Sequence, residues 1–335
     1  MNPDGYCLVN TAHRTLQNVA ITAPGEAPRG RVVRRDLHGG KGAGYLLYVP
    51  RIGAVNTRCF VAIHGLSRNC REHAETFAPF CEREGVVLLV PNFDDERFGD
   101  YQRLGRHGRG PRSDMFLNLC LDEVALQTGA DVSRIYLFGH SAGAQFAHRY
   151  LMVHPHRVAH AAFASAGWYT FPDNRVRYPR GIRSTRRLPG VIFQPADFLQ
   201  VPVAVMVGER DVGATALRRS ARIDEQQGTT RVERAHRWTS AMQAAARAHG
   251  LTAKVSCIDV PGIDHSFARF SRRGELAARV FVEMFHSPVG HANGAHAPAC
   301  ASACPLDEPV KQCHALARVL AKRRPRREKP QPQLR

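Results

Sequence analysis

A serine hydroxyl attacks a carbonyl at neutral pH only when a neighbouring base takes its proton. The pentapeptide Gly139-His140-Ser141-Ala142-Gly143 offers a place for such a serine. It follows the apolar run Ile135 to Phe138 and opens a small-residue helical segment that ends before Pro155. Strand, Gly-x-Ser-x-Gly, helix is the context in which the pattern forms a tight nucleophile elbow. The turn demands very small residues two before and two after the serine, and Gly139 and Gly143 stand there. A pentapeptide of common residues can arise by chance, so a base, an acid and an oxyanion hole must be sought elsewhere.

The base needs a pKa near working pH, which points to histidine. His265 has the best setting, because Pro261-Gly262-Ile263-Asp264-His265-Ser266 follows the last apolar strand and precedes the final helix. His148 and His154 fall on the helix after Ser141, and His236 and His249 on a late helix; these read as exposed or capping residues. The acid that fixes the imidazole is expected at Asp211, in Gly208-Glu209-Arg210-Asp211 just after the strand Val203 to Val207. That gives the chain order serine, acid, histidine that accompanies the elbow. Glu209 is the nearest rival, and Asp259 and Asp264 rank below both. The oxyanion hole is expected from two backbone N–H groups. One belongs to Ala142, at a helix N-terminus where the dipole helps. The other is Leu66 N–H, in the loop His64-Gly65-Leu66-Ser67 after the first parallel strand. His64 and Ser67 are expected to shape that loop rather than react.

These groups need a frame. Arg31 to Leu37 and Gly44 to Val49 read as two strands joined by the Gly39-Gly40-Lys41-Gly42 turn. Cys59 to Ile63, Val86 to Val90, Ile135 to Phe138, Ala161 to Ala164, Val203 to Val207 and Val255 to Val260 follow as strand candidates. Most are continuous apolar runs, as expected where helices cover both faces of a parallel sheet. Arg231 to His249 and Leu276 to Phe285 carry apolar residues at helical spacing. The expected fold is α/β, a predominantly parallel sheet with helices on both faces. Residues 1–30 read as a loose N-terminal extension, 31–286 as the domain and 287–335 as a disordered tail. Two insertions, Asn92 to Arg112 and 167–199, leave strand C-terminal ends, where open α/β sheets bind ligands. The second carries Trp168, Tyr169, Phe171, Tyr178 and Phe193 and reads as lid-like, its aromatics being either substrate wall or packing.

The chain has 335 residues, with 47 Lys and Arg against 29 Asp and Glu, a formal charge of +18. Nearly all the basic residues are arginine, a bias that coding composition can produce as readily as phosphate binding. Part of the charge sits in Lys322 to Lys329. A solvated tail is the preferred reading of that stretch over a nucleic-acid-binding one. Cys300, Cys304 and Cys313, with His291, His296 and His314, lack the paired C-x2-C knuckles of zinc sites, so no metal is assigned to them. No apolar run reaches the about 18 residues of a membrane span. Met1 to Asn10 lack a basic and then apolar leader pattern, and the nine cysteines are irregularly spaced. A cytoplasmic protein with free thiols is the expectation.

With Gly139 to Gly143, the His64-Gly65 loop, Gly208-Glu209-Arg210-Asp211 and Asp264-His265-Ser266, the chain resembles the α/β-hydrolase superfamily. Within it the likeness is closest to bacterial esterases of the polyhydroxybutyrate-depolymerase-like and feruloyl-esterase-like groups. The resemblance spans residues 40 to 286. It implies hydrolysis of a small-molecule carboxylic ester through an acyl-enzyme, without metal or organic cofactor. A serine peptidase or acyltransferase would use the same Ser141, His265 and Asp211. A reading from another class is a catalytically silent binding module whose basic tail engages nucleic acid. Neither acyl specificity nor oligomeric state is legible.

Overall fold

Apolar runs too short for helices, and too continuous for half-exposed strands, become the strands of a single sheet. The computed structural model describes residues 27–286, apart from 38–42, 106–110, 187, 189 and 214–216. The strands are β1 (Val32–Asp36), β2 (Gly44–Tyr48), β3 (Arg58–Ile63), β4 (Val87–Pro91), β5 (Asp131–His140), β6 (Val158–Ala164), β7 (Val203–Gly208) and β8 (Val255–Val260). They lie in the order β1-β2-β4-β3-β5-β6-β7-β8. β1 and β2 run antiparallel to each other, β2 runs antiparallel to β4, and the remaining neighbours are parallel. The predominantly parallel α/β sheet expected from the sequence is the one the chain forms.

The connections carry α1 (Cys70–Glu84), α2 (Asp95–Phe98), α3 (Ser113–Thr128), α4 (Ala142–Val153), α5 (Pro195–Phe198), α6 (Ala221–Gln227), α7 (Arg231–Ala248), α8 (Phe267–Arg273) and α9 (Leu276–Phe281). Side chains alternate across each strand, so the sheet feeds two cores. Val61, Leu137, Phe163 and Val205 face Phe116, Phe146 and Trp238 of α3, α4 and α7. Phe60, Phe138, Ala162 and Met206 face Phe77, Phe270 and Phe281 of α1, α8 and α9. Both faces are thereby closed to water, which is why the central strands read as unbroken apolar runs. No helix among the described residues is long and apolar enough to cross a membrane.

Several boundaries differ from expectation. β5 begins at Asp131, because its first residues pair at the sheet rim with exposed polar side chains that hide the strand pattern. The final helix ends at Phe281 and continues as a π turn over Val282–His286. Residues 27–30 are already docked: Ala27 is buried and Gly30 N–H donates to Val49 O at 2.8 Å. The aromatics of the 167–199 insertion are core residues. Trp168, Tyr169, Phe171, Tyr178 and Phe193 are all buried, and Tyr169 stacks on Trp238 at 4.9 Å. Trp238 Nε1–H donates to Thr170 O at 2.8 Å, stitching the insertion to α7. Packing, rather than an open substrate wall, accounts for them. The five described cysteines are free. The basic tail and the Cys300 to His314 stretch lie outside the described residues, as does the Gly39 to Gly42 turn.

Candidate active site

The elbow is enforced by sterics. A Cβ on Gly139 would lie 2.3 Å from Gly143 O, and one on Gly143 would lie 2.1 Å from Ile63 O. With that clearance, β5 turns into α4 over one residue, and Ser141 takes φ 56° and ψ −114°. This left-handed conformation costs a non-glycine residue of order 1–3 kcal/mol, which the surrounding packing sustains. Ser141 N–H donates to Ala164 O at 2.8 Å, pinning the turn to the end of β6.

His265 arrives from the loop after β8. Ser141 Oγ–H donates to His265 Nε2 at 3.0 Å, and His265 Nδ1–H donates to Asp211 Oδ2 at 2.9 Å. Because an ionised carboxylate only accepts, Asp211 holds the proton on Nδ1 and leaves Nε2 free to accept from the serine. The loop after β7 is held against the loop after β8 by backbone bonds. Glu209 N–H donates to Val260 O at 3.1 Å, and Arg210 N–H donates to Ile263 O at 2.8 Å. Glu209, the rival acid, uses its carboxylate elsewhere: Oε2 accepts from Gly262 N–H at 3.3 Å. Asp264 accepts from Ser266 N–H and from Arg269, and Asp259 pairs with His236. Of the four carboxylates considered, Asp211 alone meets His265.

One residue at this site escapes sequence reasoning. Arg231 donates from Nη1 to Asp211 Oδ1 at 3.1 Å and to Gly213 O at 3.2 Å. Arg231 and Asp211 are 2% and 1% exposed. The arginine is placed by a capping box: Glu233 N–H donates to Thr230 Oγ1, the Glu233 side chain accepts from the Thr230 backbone, and α7 starts at Arg231. The Thr-x-x-Glu spacing is visible in the sequence, but nothing there marks its arginine among so many.

The ends of β3 and β5 bring the two expected N–H donors, Leu66 and Ala142, onto segments that flank Ser141. Ala142 opens α4 directly after Ser141, so its N–H is one of the first-turn donors with no intrahelical acceptor. Gly65 closely borders the serine, a Cβ there being 3.6 Å from Ser141 Cβ, and Leu66 follows it, half exposed. His64 is the strut under this loop. Phe93 N–H donates to its Nε2 at 3.1 Å, its Nδ1–H donates to Gly65 O at 2.8 Å, and Tyr101 O–H donates to His64 O at 2.6 Å. Burial lowers the His64 pKa to about 4, so the ring is neutral at pH 7 and serves as scaffolding. His140, inside the elbow, is also buried and lies 5.3 Å from the His265 ring. Desolvation first, then the nearby His265, hold its pKa well below 6.5, so it adds no charge beside His265. The Asn92 to Arg112 insertion, through Tyr101, thus braces the loop after β3.

A groove of about 430 Å³ opens beside this loop, lined by Leu66, Phe98, Tyr101 and Gln102 together with acidic and basic side chains of the same insertion.

No family model and no curated protein matches the chain. Solved structures do. Poly(aspartic acid) hydrolase-1 from Sphingomonas sp. KT-1 is similar over 76% of this chain and 98% of its own, with TM-score 0.63 and 24% identity. A poly(3-hydroxybutyrate) depolymerase from Bordetella parapertussis is similar over 75% of this chain and 94% of its own, with TM-score 0.59 and 27% identity. The eight-stranded, mostly parallel sheet is the α/β-hydrolase fold. Hydrolysis is the class of activity that these likenesses support.

Proposed function

We propose that the protein is a serine hydrolase that cleaves a carboxylic ester through an acyl-enzyme. Ser141 Oγ attacks the ester carbonyl carbon while His265 Nε2 takes its proton. The carbonyl oxygen becomes an oxyanion, held by the N–H groups of Leu66 and Ala142. The C–O bond to the alcohol then breaks, and His265 returns the proton to the leaving oxygen. Water, deprotonated by the same histidine, adds to the acyl-enzyme and releases the acid and the free serine. Asp211 steadies the imidazolium that forms in both halves.

The observation that carries this reading is the unbroken hydrogen-bond chain from Ser141 through His265 to Asp211, starting at a serine held in a strained conformation. The likeness to a poly(3-hydroxybutyrate) depolymerase, at 27% identity, supports an ester, whereas the likeness to a poly(aspartic acid) hydrolase, at 24% identity, supports the fold alone. The groove beside Leu66, with charges of both signs, favours a polar substrate over a long apolar acyl chain.

The test is covalent labelling by a fluorophosphonate, beside turnover of p-nitrophenyl esters of rising chain length and of aminoacyl amides. Labelling and ester turnover are expected in the wild type, with turnover down about 10⁴-fold or more and labelling gone in Ser141→Ala. Amide turnover without ester turnover would make it a peptidase, and acyl transfer to an added alcohol outpacing hydrolysis would make it an acyltransferase. An unlabelled wild type would leave a silent fold.

A further inference from the structure

On the flank of the sheet away from Leu66, α7 packs along the edge strand β8. Cys257 and Asp259 are two apart on β8 and share a face. Across from them on α7 stand His236 and, one turn on, Thr239. His236 Nε2 lies 3.0 Å from each oxygen of the Asp259 carboxylate. The ligand atoms of His236, Cys257 and Asp259 all lie within 4.8 Å of one another, the one such trio among the described residues. His236 and Asp259 are 47% and 41% exposed, so an ion and its water can reach them.

We propose that His236, Cys257 and Asp259 form a binding site for a divalent metal of the zinc class. An imidazole nitrogen, a thiolate and a carboxylate oxygen are donors that favour zinc or cobalt over magnesium or calcium. Ligands at ordinary zinc bond lengths sit about 3.3–3.8 Å apart in a tetrahedron. The trio therefore has to contract by about 1.5 Å at most, within the reach of side-chain rotation at the exposed His236 and Asp259. Binding forms one bond each to nitrogen, sulfur and oxygen and sends the thiol proton to solvent. With three protein ligands, the fourth position belongs to water.

The site clasps two elements that serve the triad without touching it. α7 begins at Arg231, which grips Asp211, and β8 leads into the loop bearing His265. A bound ion ties these elements together from behind, so the metal stabilises the domain and takes no part in the bond-breaking.

Cobalt titration of the metal-stripped, full-length protein tests this. A thiolate-to-cobalt charge-transfer band and tetrahedral visible bands are expected in the wild type, with a higher Tm on adding zinc. Both should persist in a Cys300→Ser, Cys304→Ser, Cys313→Ser variant, which removes the tail thiols. Cys257→Ser should lose the charge-transfer band, and His236→Gln and Asp259→Asn should each weaken binding at least about tenfold. The exposed His236→Gln and Asp259→Asn should leave the metal-free Tm nearly unchanged, and Cys257→Ser, at a partly buried position, is near-isosteric, so its metal-free Tm is measured beside them to separate lost ligation from misfolding. No thiolate band in the wild type would overturn the proposal. So would a band that survives Cys257→Ser or vanishes with the tail thiols.

Discussion

Arg231 donates to one carboxylate oxygen of Asp211 at 3.1 Å while His265 donates to the other at 2.9 Å, so the acid is clamped from both sides. Both members of the ion pair are buried. Breaking such a pair by removing one partner costs about 3–5 kcal/mol, because a lone charge is left in the interior. Arg231→Met should lower the urea midpoint accordingly and reduce kcat with little change in KM, since His265 loses a fixed acceptor. Arg231→Lys keeps the charge and should recover part of the stability. A methionine variant as stable as the wild type would show that the pair does no structural work.

The two acids after β7 divide their tasks, and substitution separates them. Asp211→Asn keeps the shape but can hold the wrong imidazole tautomer, a change worth about 10⁴-fold in kcat in the best-studied serine triad. Glu209→Gln removes only a charge from the contact with Gly262 N–H. Its kcat should stay close to that of the wild type. The opposite ranking would make Glu209 the acid.

Gly143→Ala probes the elbow. Its new Cβ would stand 2.1 Å from Ile63 O and 2.6 Å from His64 O, both backbone atoms that cannot swing aside. Overpacking typically costs 1–3 kcal/mol, roughly the least expected here, because the clash is with main chain. Either α4 or the oxyanion loop must shift, so fluorophosphonate labelling should fall along with Tm. A variant that labels at the wild-type rate would mean the turn has slack.

Five buried histidines govern the response to acid. Desolvation lowers His64 and His160 to about 4 and His73 to about 3, and holds His140 and His148 well below 6.5. Each is therefore neutral in the fold, while the unfolded chain takes up protons below about 6.5. Their stability contribution is fully present above that pH and is lost as pH falls towards the folded values. Each adds a slope of about 1.4 kcal/mol per pH unit within its window. Against a total of about 5–15 kcal/mol, the domain should unfold near pH 5. Asp114, held at about 2 by Arg112 and His154 against its own burial, matters only below about pH 4. A urea midpoint that is flat between pH 7 and 5 would contradict this.

The hydrogen-bonded trio of Ser141, His265 and Asp211 is readable because each member stands in a short, position-specific pattern at a strand end. Gly139 and Gly143 announce a steric demand, and Asp211 and His265 stand in Gly-containing turns after apolar runs. Arg231 was not readable, since a buried arginine looks like a surface one until its partner is known. The same holds for His236, Cys257 and Asp259, which come from two elements whose pairing only the fold supplies. Tyr169 illustrates a third kind of limit: an aromatic in a long loop reads equally as wall or as core, and its stacking on Trp238 of α7 decides it. The start of β5 is hidden because Asp131, Ser133 and Arg134 are exposed polar residues at the rim, with only Val132 partly buried among them.

The bond from Ser141 to His265 joins residues 124 apart in the chain, and that from His265 to Asp211 joins residues 54 apart. Contacts of such long range close late, after the entropy of the intervening loops has been spent. During synthesis from the N-terminus, Ser141 leaves the ribosome long before the residue that would activate it. Until β8 docks, Ser141 has no imidazole within hydrogen-bond reach from the loop that follows that strand. On the proposed function, regain of fluorophosphonate labelling after dilution from denaturant should time the closure of the sheet's last strand, and not the collapse of its first half.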